Sequence, residues 1–462
     1  MHAEVLKSVL NRVDMDLDAS LERLFALLRI PSISTDSAFN KDCDRAAEHL
    51  KKDLDSLGFK ARVQPTCGHA IVVGHRPRKG APHFLFYGHY DVQPVDPLSL
   101  WEVPPFEPRI VEISKGRKVI KARGACDDKG QVMTFLEACR AWIAAGGDIP
   151  VGLTVILEGD EENRAEPVEE FLSKFKSELK ADAALVCDSG QWDRETPAVT
   201  TMLRGMCHEE IVIRCADRDL HSGLYGGAAQ NPLHVISRIV GELKGRDGKI
   251  KIPGFYNGVK PLPKKQLAAW KKLGLTEKNF LGPIGLRRSQ GEKGKSIIEQ
   301  ITSRPTCDVN GIWGGYQGEG CKTVIPSEAH AKVSFRLVGS QDPVKVLAAF
   351  RKFVQQRVPK DCTVEFKERR LSSPVSLPGD SALVRKAVEA LTAEWKKQAV
   401  VIGSGGSVPI VTEIKKRLGL DSLLVGFGLD DDRLHSPNEK YDVSSFHHGT
   451  RSWVRILQAL AH

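Results

Sequence analysis

The chain has 462 residues, 27% of them charged and 41% hydrophobic, which is more than one ordinary domain needs and enough to bury a sizeable core. Its 67 basic and 58 acidic residues leave a net charge of +9, but the two signs are interspersed and no nucleic-acid-binding motif accompanies the surplus, so a nucleic-acid partner is not expected. No run approaches the roughly 18 apolar residues of a membrane span, and the amino-terminal segment lacks the unbroken apolar stretch of a secretory signal.

Amphipathic helices are predicted over 15–30 and 44–58, the second stopped by Gly58, with strands near 60–65 and 70–75. Then come five apolar stretches, each followed by candidate metal ligands. His83–Gly88 runs into His89 and Asp91, and Lys118–Cys126 into Asp127 and Asp128. Leu153–Gly159 leads to Glu161 and Glu162, Ala183–Cys187 to Asp188, and Ser422–Leu429 to an acidic turn and His435. A helix is expected after Asp128, apolar along Val132, Phe135, Leu136, Cys139 and Trp142. After Arg204 the pattern changes to strands at 209–215, 329–338 and 363–368 with helices near 232–244 and 342–357, while 245–300 reads as an extended Gly-, Pro- and Lys-rich insertion. The α/β pattern resumes at about 380.

The expected fold is therefore α/β: a catalytic domain (1–205 and 373–462) with a central mixed sheet flanked by helices, interrupted by an inserted α+β domain (206–372). In such sheets the carboxyl ends of parallel strands face a common crevice. Histidines and carboxylates gathered there form an N/O set suited to one or two divalent cations. Each residue alone is ordinary, since single acids cap helices and single histidines sit in loops. Asp91 is spaced to fix the tautomer of His89. One carboxylate of Asp127-Asp128, in a turn between Gly124 and Gly130, can bridge two cations. The adjacent Glu161 and Glu162 repel unless a cation takes one, which leaves the other free to accept a proton from water.

Competing signatures fail. Cys321 breaks the P-loop ending of Gly315–Thr323, Val408 ends the glycine pattern begun at Gly403, and His-Glu-x-x-His is absent. Ten cysteines without a Cys-x-x-Cys spacing indicate no zinc ribbon or thioredoxin-type site. Cys187, Cys207 and Cys215 read as buried thiols, and a reducing, cytoplasmic setting is expected.

Together the segments Tyr87–Pro94, Arg123–Gly130, Leu157–Glu162, Asp219–Gly227, Lys322–Pro326 and Leu434–Lys440 resemble the carnosinase-like dipeptidases of the aminoacylase, glutamate carboxypeptidase and succinyl-diaminopimelate desuccinylase clan, over almost the whole chain. The resemblance implies a dinuclear metallopeptidase that cleaves dipeptides or short peptides with metal-activated water. It implies that His89 and Asp188 hold one metal, Glu162 and His435 the other, and Asp127 both. Glu161 would be the general base and Asp91 would orient His89. The inserted domain would be a lid carrying a homodimer contact, with His221 reaching the partner's site to steady the oxyanion. Arg336, Thr323 and Ser407 match substrate-contacting positions, Arg336 suiting the terminal carboxylate. Two zinc ions per subunit are expected, with manganese and cobalt also compatible. Where these dipeptidases often have Arg-Glu before Gly-Gly-Ser, this chain has Gly403 and Ser404, and Gly379–Ser381 replaces a frequent His-Pro pair; both changes touch the expected substrate pocket. An N-acyl-amino-acid deacylase or carboxypeptidase of the same clan, or a non-catalytic metal- or partner-binding scaffold, are the alternatives.

Overall fold

A computed structural model describes residues 2–406 and 408–462, the side chains of residues 2 and 368–370 excepted. The chain divides into two compact units. One comprises the residues up to Thr201, Leu377–Ile402 and Val408–His462, and the other Met202–Ser376 with residues 403–406.

In the first unit, strands form at Lys60–Gln64, Ile71–Arg76, His83–His89, Gly152–Glu158 and Ala183–Val186. The central sheet runs in the order Lys60–Gln64, Ile71–Arg76, Gly152–Glu158, His83–His89, Ala183–Val186, Ser422–Leu424, Ala198–Leu203. Its middle is parallel: His83–His89 lies between Gly152–Glu158 and Ala183–Val186, and the latter pairs with Ser422–Leu424. Antiparallel neighbours flank it on both sides, so the sheet is mixed, as expected. A strand covered on both faces must be apolar throughout. Gly152–Glu158 is buried at every position, as is His83–His89 after its first. Helix Lys129–Gly146 covers one face: Phe135 stacks on Phe86 with ring centroids 3.6 Å apart, and both meet Trp453 of helix Val443–Leu460 edge-on.

Two expectations need correction here, and one helix is new. The stretch 118–126 does not enter this sheet: Arg117–Lys121 pairs antiparallel with Arg109–Ser114 and Lys440–Asp442 in a separate three-stranded sheet. Its Arg117, Lys118 and Lys121 are incompatible with a strand buried on both faces. The strand expected over 422–429 is paired only over Ser422–Leu424. Beyond it the chain presses against residues 187–190, where a Cβ on Gly426 would lie 2.0 Å from the Ser189 carbonyl. Helix His2–Met15, absent from the sequence reading, buries Val9, Leu10 and Val13 in the main core.

In the second unit, four antiparallel strands run in the order Thr306–Gly314, Glu328–Leu337, Gly205–Arg214, Thr363–Ser372. Along Glu328–Leu337 every second residue is buried, the period that places alternate side chains on one face. Ala329, Ala331, Val333 and Phe335 share a core with Val235, Ile236 and Ile239 of helix Pro232–Glu242 and Phe350 of helix Pro343–Gln355. The 245–300 stretch is not wholly extended; it contains helices Lys264–Lys272, Glu277–Leu281 and the start of Ile297–Thr302. Cys215 is not a free thiol: it is bonded to Cys362. The ladder explains the pairing, since Arg214 sits opposite Thr363 and the next step brings Cys215 and Cys362 together across 147 residues of sequence. Cys187 and Cys207 are buried thiols. Among the described residues, no helix is long and apolar enough to cross a membrane.

Candidate metal centre

The parallel strands bring the candidate ligands to one end of the sheet. His89 closes its strand, Glu161 and Glu162 form the turn after Gly152–Glu158, and Asp188 follows Ala183–Val186. Asp127 comes from the tight turn before helix Lys129–Gly146, and His435 from the loop before Lys440–Asp442. The turn at Asp127 depends on Gly130, where a Cβ would lie 1.8 Å from the Ala125 carbonyl oxygen. It also depends on Gly88, where a Cβ would press on Val132 at 2.5 Å.

Asp127 stands at the middle. Its Oδ1 lies 3.0 Å from His89 Nε2 and its Oδ2 3.0 Å from His435 Nε2. His435 Nε2 is also 3.1 Å from Glu162 Oε1. Two trios result, His89 with Asp127 and Asp188, and Asp127 with Glu162 and His435, each with its ligating atoms within 4.8 Å of one another. Asp91 is fully buried beneath them. Its carboxylate accepts hydrogen bonds from Ser34 Oγ at 2.6 Å, Glu161 N at 3.2 Å and Glu162 N at 3.0 Å. His89 Nδ1 lies 3.1 Å from the Asp91 carbonyl oxygen and 3.4 Å from its Oδ1. One aspartate therefore fixes the imidazole and the turn that carries both glutamates. Gln93 Nε2 donates to Glu162 Oε2 at 2.7 Å, a contact the sequence reading missed.

The electrostatics are those of a site holding too much negative charge. Burial opposes ionisation of Asp127, but hydrogen bonds with His435 and His89 overcome it and hold its carboxyl well below the usual range. The same bonds raise His435, to about 10, through Asp127 and then Glu162. Burial works against a charge on His89, yet Asp127 and Asp91 raise it well above an ordinary imidazole. Asp188 is pushed up to about 6 by burial and by the Asp127 carboxylate. Glu161 is raised well above an ordinary glutamate, first by burial, with Asp188, Glu162 and Asp91 adding repulsion that His89 offsets in part.

This donor set fits two divalent cations. With both imidazoles protonated, each Nε2–H points at a carboxylate, so a proton occupies the place where the nitrogen lone pair would meet a metal. Neutral imidazoles would leave the carboxyl groups of Asp91, Asp127, Glu161, Glu162 and Asp188 crowded together without a cation, a concentration of negative charge that two dications would largely offset.

The remaining sequence-predicted residues belong to the second unit. His221 ends the two-residue strand Leu220–His221, paired with Val324–Ile325, and is exposed. Its Nδ1 accepts from Gly223 N at 3.0 Å, and Ser222 N donates to the Thr323 carbonyl at 3.0 Å, so His221 and Thr323 are neighbours. Arg336 lies on Glu328–Leu337, opposite Met206 on one side and Thr306 on the other. Ser407 lies outside the described residues.

Residues 85–459 match the peptidase family M20/M25/M40. The Cys-Gly metallodipeptidase DUG1 of Candida albicans is 30% identical over 462 aligned residues, covering 94% of this chain and 92% of the relative. The human Beta-Ala-His dipeptidase is 27% identical, with 84% of this chain and 76% of that protein covered. Among solved structures, the M20 family metallo-carboxypeptidase Sso-CP2 of Sulfolobus solfataricus superposes with a TM-score of 0.80 at 29% identity, covering 96% of this chain and 99% of that one.

Proposed function

We infer that this chain, which belongs to peptidase family M20/M25/M40, is a metal-dependent dipeptidase using the centre built around Asp127. The carrying observation is that Asp127 turns one oxygen to each of two histidines, each with a further carboxylate in ligating reach. His89, Asp127 and Asp188 would hold one cation, and Asp127, Glu162 and His435 the other. Zinc is the expected metal, with manganese and cobalt compatible with the same donors.

Bound there, a pair of divalent cations supplies Lewis acidity that brings a water's pKa toward neutrality and polarises the scissile carbonyl. Glu161 takes the proton of the attacking water and returns it to the leaving amine nitrogen as the C–N bond breaks. Its raised proton affinity, from burial and neighbouring carboxylates, suits both transfers. Asp91 keeps His89 and the Glu161–Glu162 turn in register. Family resemblance supports further roles: Arg336 pairs with the substrate's terminal carboxylate through two parallel hydrogen bonds, with Thr323 and Ser407 as substrate contacts. It likewise supports residues 206–372 as a lid and dimer contact, and the partner subunit's His221 as oxyanion donor in a homodimer.

The second reading is a carboxypeptidase acting on longer peptides, favoured by the likeness to the Sulfolobus enzyme. To decide, metal-free protein is reloaded with zinc, manganese or cobalt and offered dipeptides, including Cys-Gly and β-Ala-His, beside longer peptides and N-acyl amino acids. Dipeptide turnover well above the other classes is expected. Preference for longer peptides or acylated amino acids would reject the dipeptidase assignment, and inactivity on every substrate with both metals bound would reject the catalytic reading.

A further inference from the structure

The loop that presents His435 holds three non-glycine residues in the left-handed region. Arg433, His435 and Asn438 have φ of 56°, 59° and 65°, though none is glycine. Histidine and asparagine enter this region more readily than most residues, but Arg433 does not, and three such angles within six residues need surroundings that hold them. Three consecutive residues at the end of the loop do so, each gripping a different segment.

Asn438 grips the segment before the side sheet: its Oδ1 accepts from Glu102 N at 2.8 Å and its Nδ2 donates to the Leu100 carbonyl at 2.7 Å. Glu439, with no exposed surface, grips the turn that carries Asp127. Its Oε1 accepts from Cys126 N and Asp127 N, both at 3.0 Å, and its Oε2 from Gly124 N at 2.9 Å and Arg123 Nη1 at 2.7 Å. Lys440 grips the loop itself. Its buried Nζ donates to Asp432 Oδ1 at 2.5 Å, Asp431 Oδ1 at 2.9 Å and Asp442 Oδ1 at 3.3 Å. Asp432 Oδ2 in turn accepts from Leu429 N at 2.7 Å, closing the loop at its base. Adjacent residues thus hold the backbone of Asp127 on one side and the base of the His435 loop on the other.

We propose that Asn438, Glu439 and Lys440 form a latch of positioning residues that sets the separation of Asp127 and His435, and with it the affinity of the metal position those two share. The inference rests on the two-cation reading of the site. A buried ion cluster that serves only the fold would lower thermal stability when cut and leave metal affinity alone. A latch acts on one metal position more than the other. Lys440→Met and Asn438→Gly act chiefly on the His435 loop, whereas Glu439→Gln removes charge directly from the backbone N–H groups of the Asp127 turn, and Asp127 belongs to both positions. Asn438→Gly keeps the fold testable, because glycine adopts positive φ freely while the two anchoring hydrogen bonds are lost.

Metal-free wild type and variants are titrated with zinc by calorimetry, with His435→Ala marking the position that survives without the loop, and melting temperatures are recorded alongside. Lys440→Met and Asn438→Gly are expected to weaken the His435 position by about 10–100-fold with the His89 position changed less than about threefold, and Glu439→Gln to weaken both. Folded variants that retain wild-type affinity at both positions would overturn the latch. So would equal weakening of both positions in Asn438→Gly. Wild type that takes up fewer than two zinc ions would instead overturn the two-cation reading, a separate outcome visible before any variant is made.

Discussion

Replacing Glu161 by glutamine isolates proton transfer from metal binding. Glutamine keeps the side chain's size and leaves the Glu161 N–H bond to Asp91 in place, but it cannot take a proton. A positioned general base contributes about 10²- to 10⁴-fold, roughly 3–5 kcal/mol of barrier, so kcat is expected to fall by that factor with KM little changed. The surroundings place the effect toward the upper end: Glu161 is largely buried, and Asp188, Glu162 and Asp91 all raise its proton affinity. Glutamine also removes the cost of burying or neutralising a carboxyl group among Asp188, Glu162 and Asp91, so the metal-free variant should unfold at higher urea than wild type. The assay pairs steady-state hydrolysis of a dipeptide with metal content by atomic absorption on the same preparation. Both metals retained and kcat above a tenth of wild type would refute the base assignment. Loss of one metal would show that Glu161 is a ligand instead.

Elsewhere the fold makes its own predictions. Burial works against the charge of Glu394, but hydrogen bonds with His448, Arg451 and Arg455 outweigh it and hold its pKa at about 2 rather than 4.5. A depressed carboxyl stabilises the fold above pH 4.5, and that stabilisation disappears as pH falls toward 2. Discounted for partial solvent screening it amounts to roughly 2–3 kcal/mol. Glu394→Gln should therefore lower the urea midpoint at pH 7 and flatten its decline between pH 4.5 and 2, and an unchanged acid profile would contradict the assignment. Phe135→Ala removes the ring stacked on Phe86 and set against Trp453, at a cost of about 3–5 kcal/mol, read from the same unfolding curves. A loss below about 1 kcal/mol would mean that the neighbouring side chains collapse into the space.

The comparison of sequence with structure is clearest at the five apolar stretches. Four behave as buried parallel strands because their residues, such as Phe84–Gly88 and Leu153–Leu157, tolerate no other environment. The fifth, before Asp127, carries Arg117, Lys118 and Lys121 and belongs to a side sheet, yet its turn still brings Asp127 between His89 and His435. Glu439 sits inside a motif visible in the sequence, but nothing local marks it: its partners are three main-chain N–H groups and the Arg123 guanidinium, 312–316 residues away. The bond between Cys215 and Cys362 is equally illegible, because it follows from strand register rather than cysteine spacing.

The sequence by itself determined the α/β class and the chemical types able to bind cations, since burial pattern and ligand identity are local properties of the chain. Tertiary structure alone decided which oxygen of Asp127 faces which histidine, how Asp91 underpins the glutamate turn, and what holds Arg433, His435 and Asn438 in left-handed conformations. Those are distances between segments far apart in the chain, and only packing of the folded core sets them.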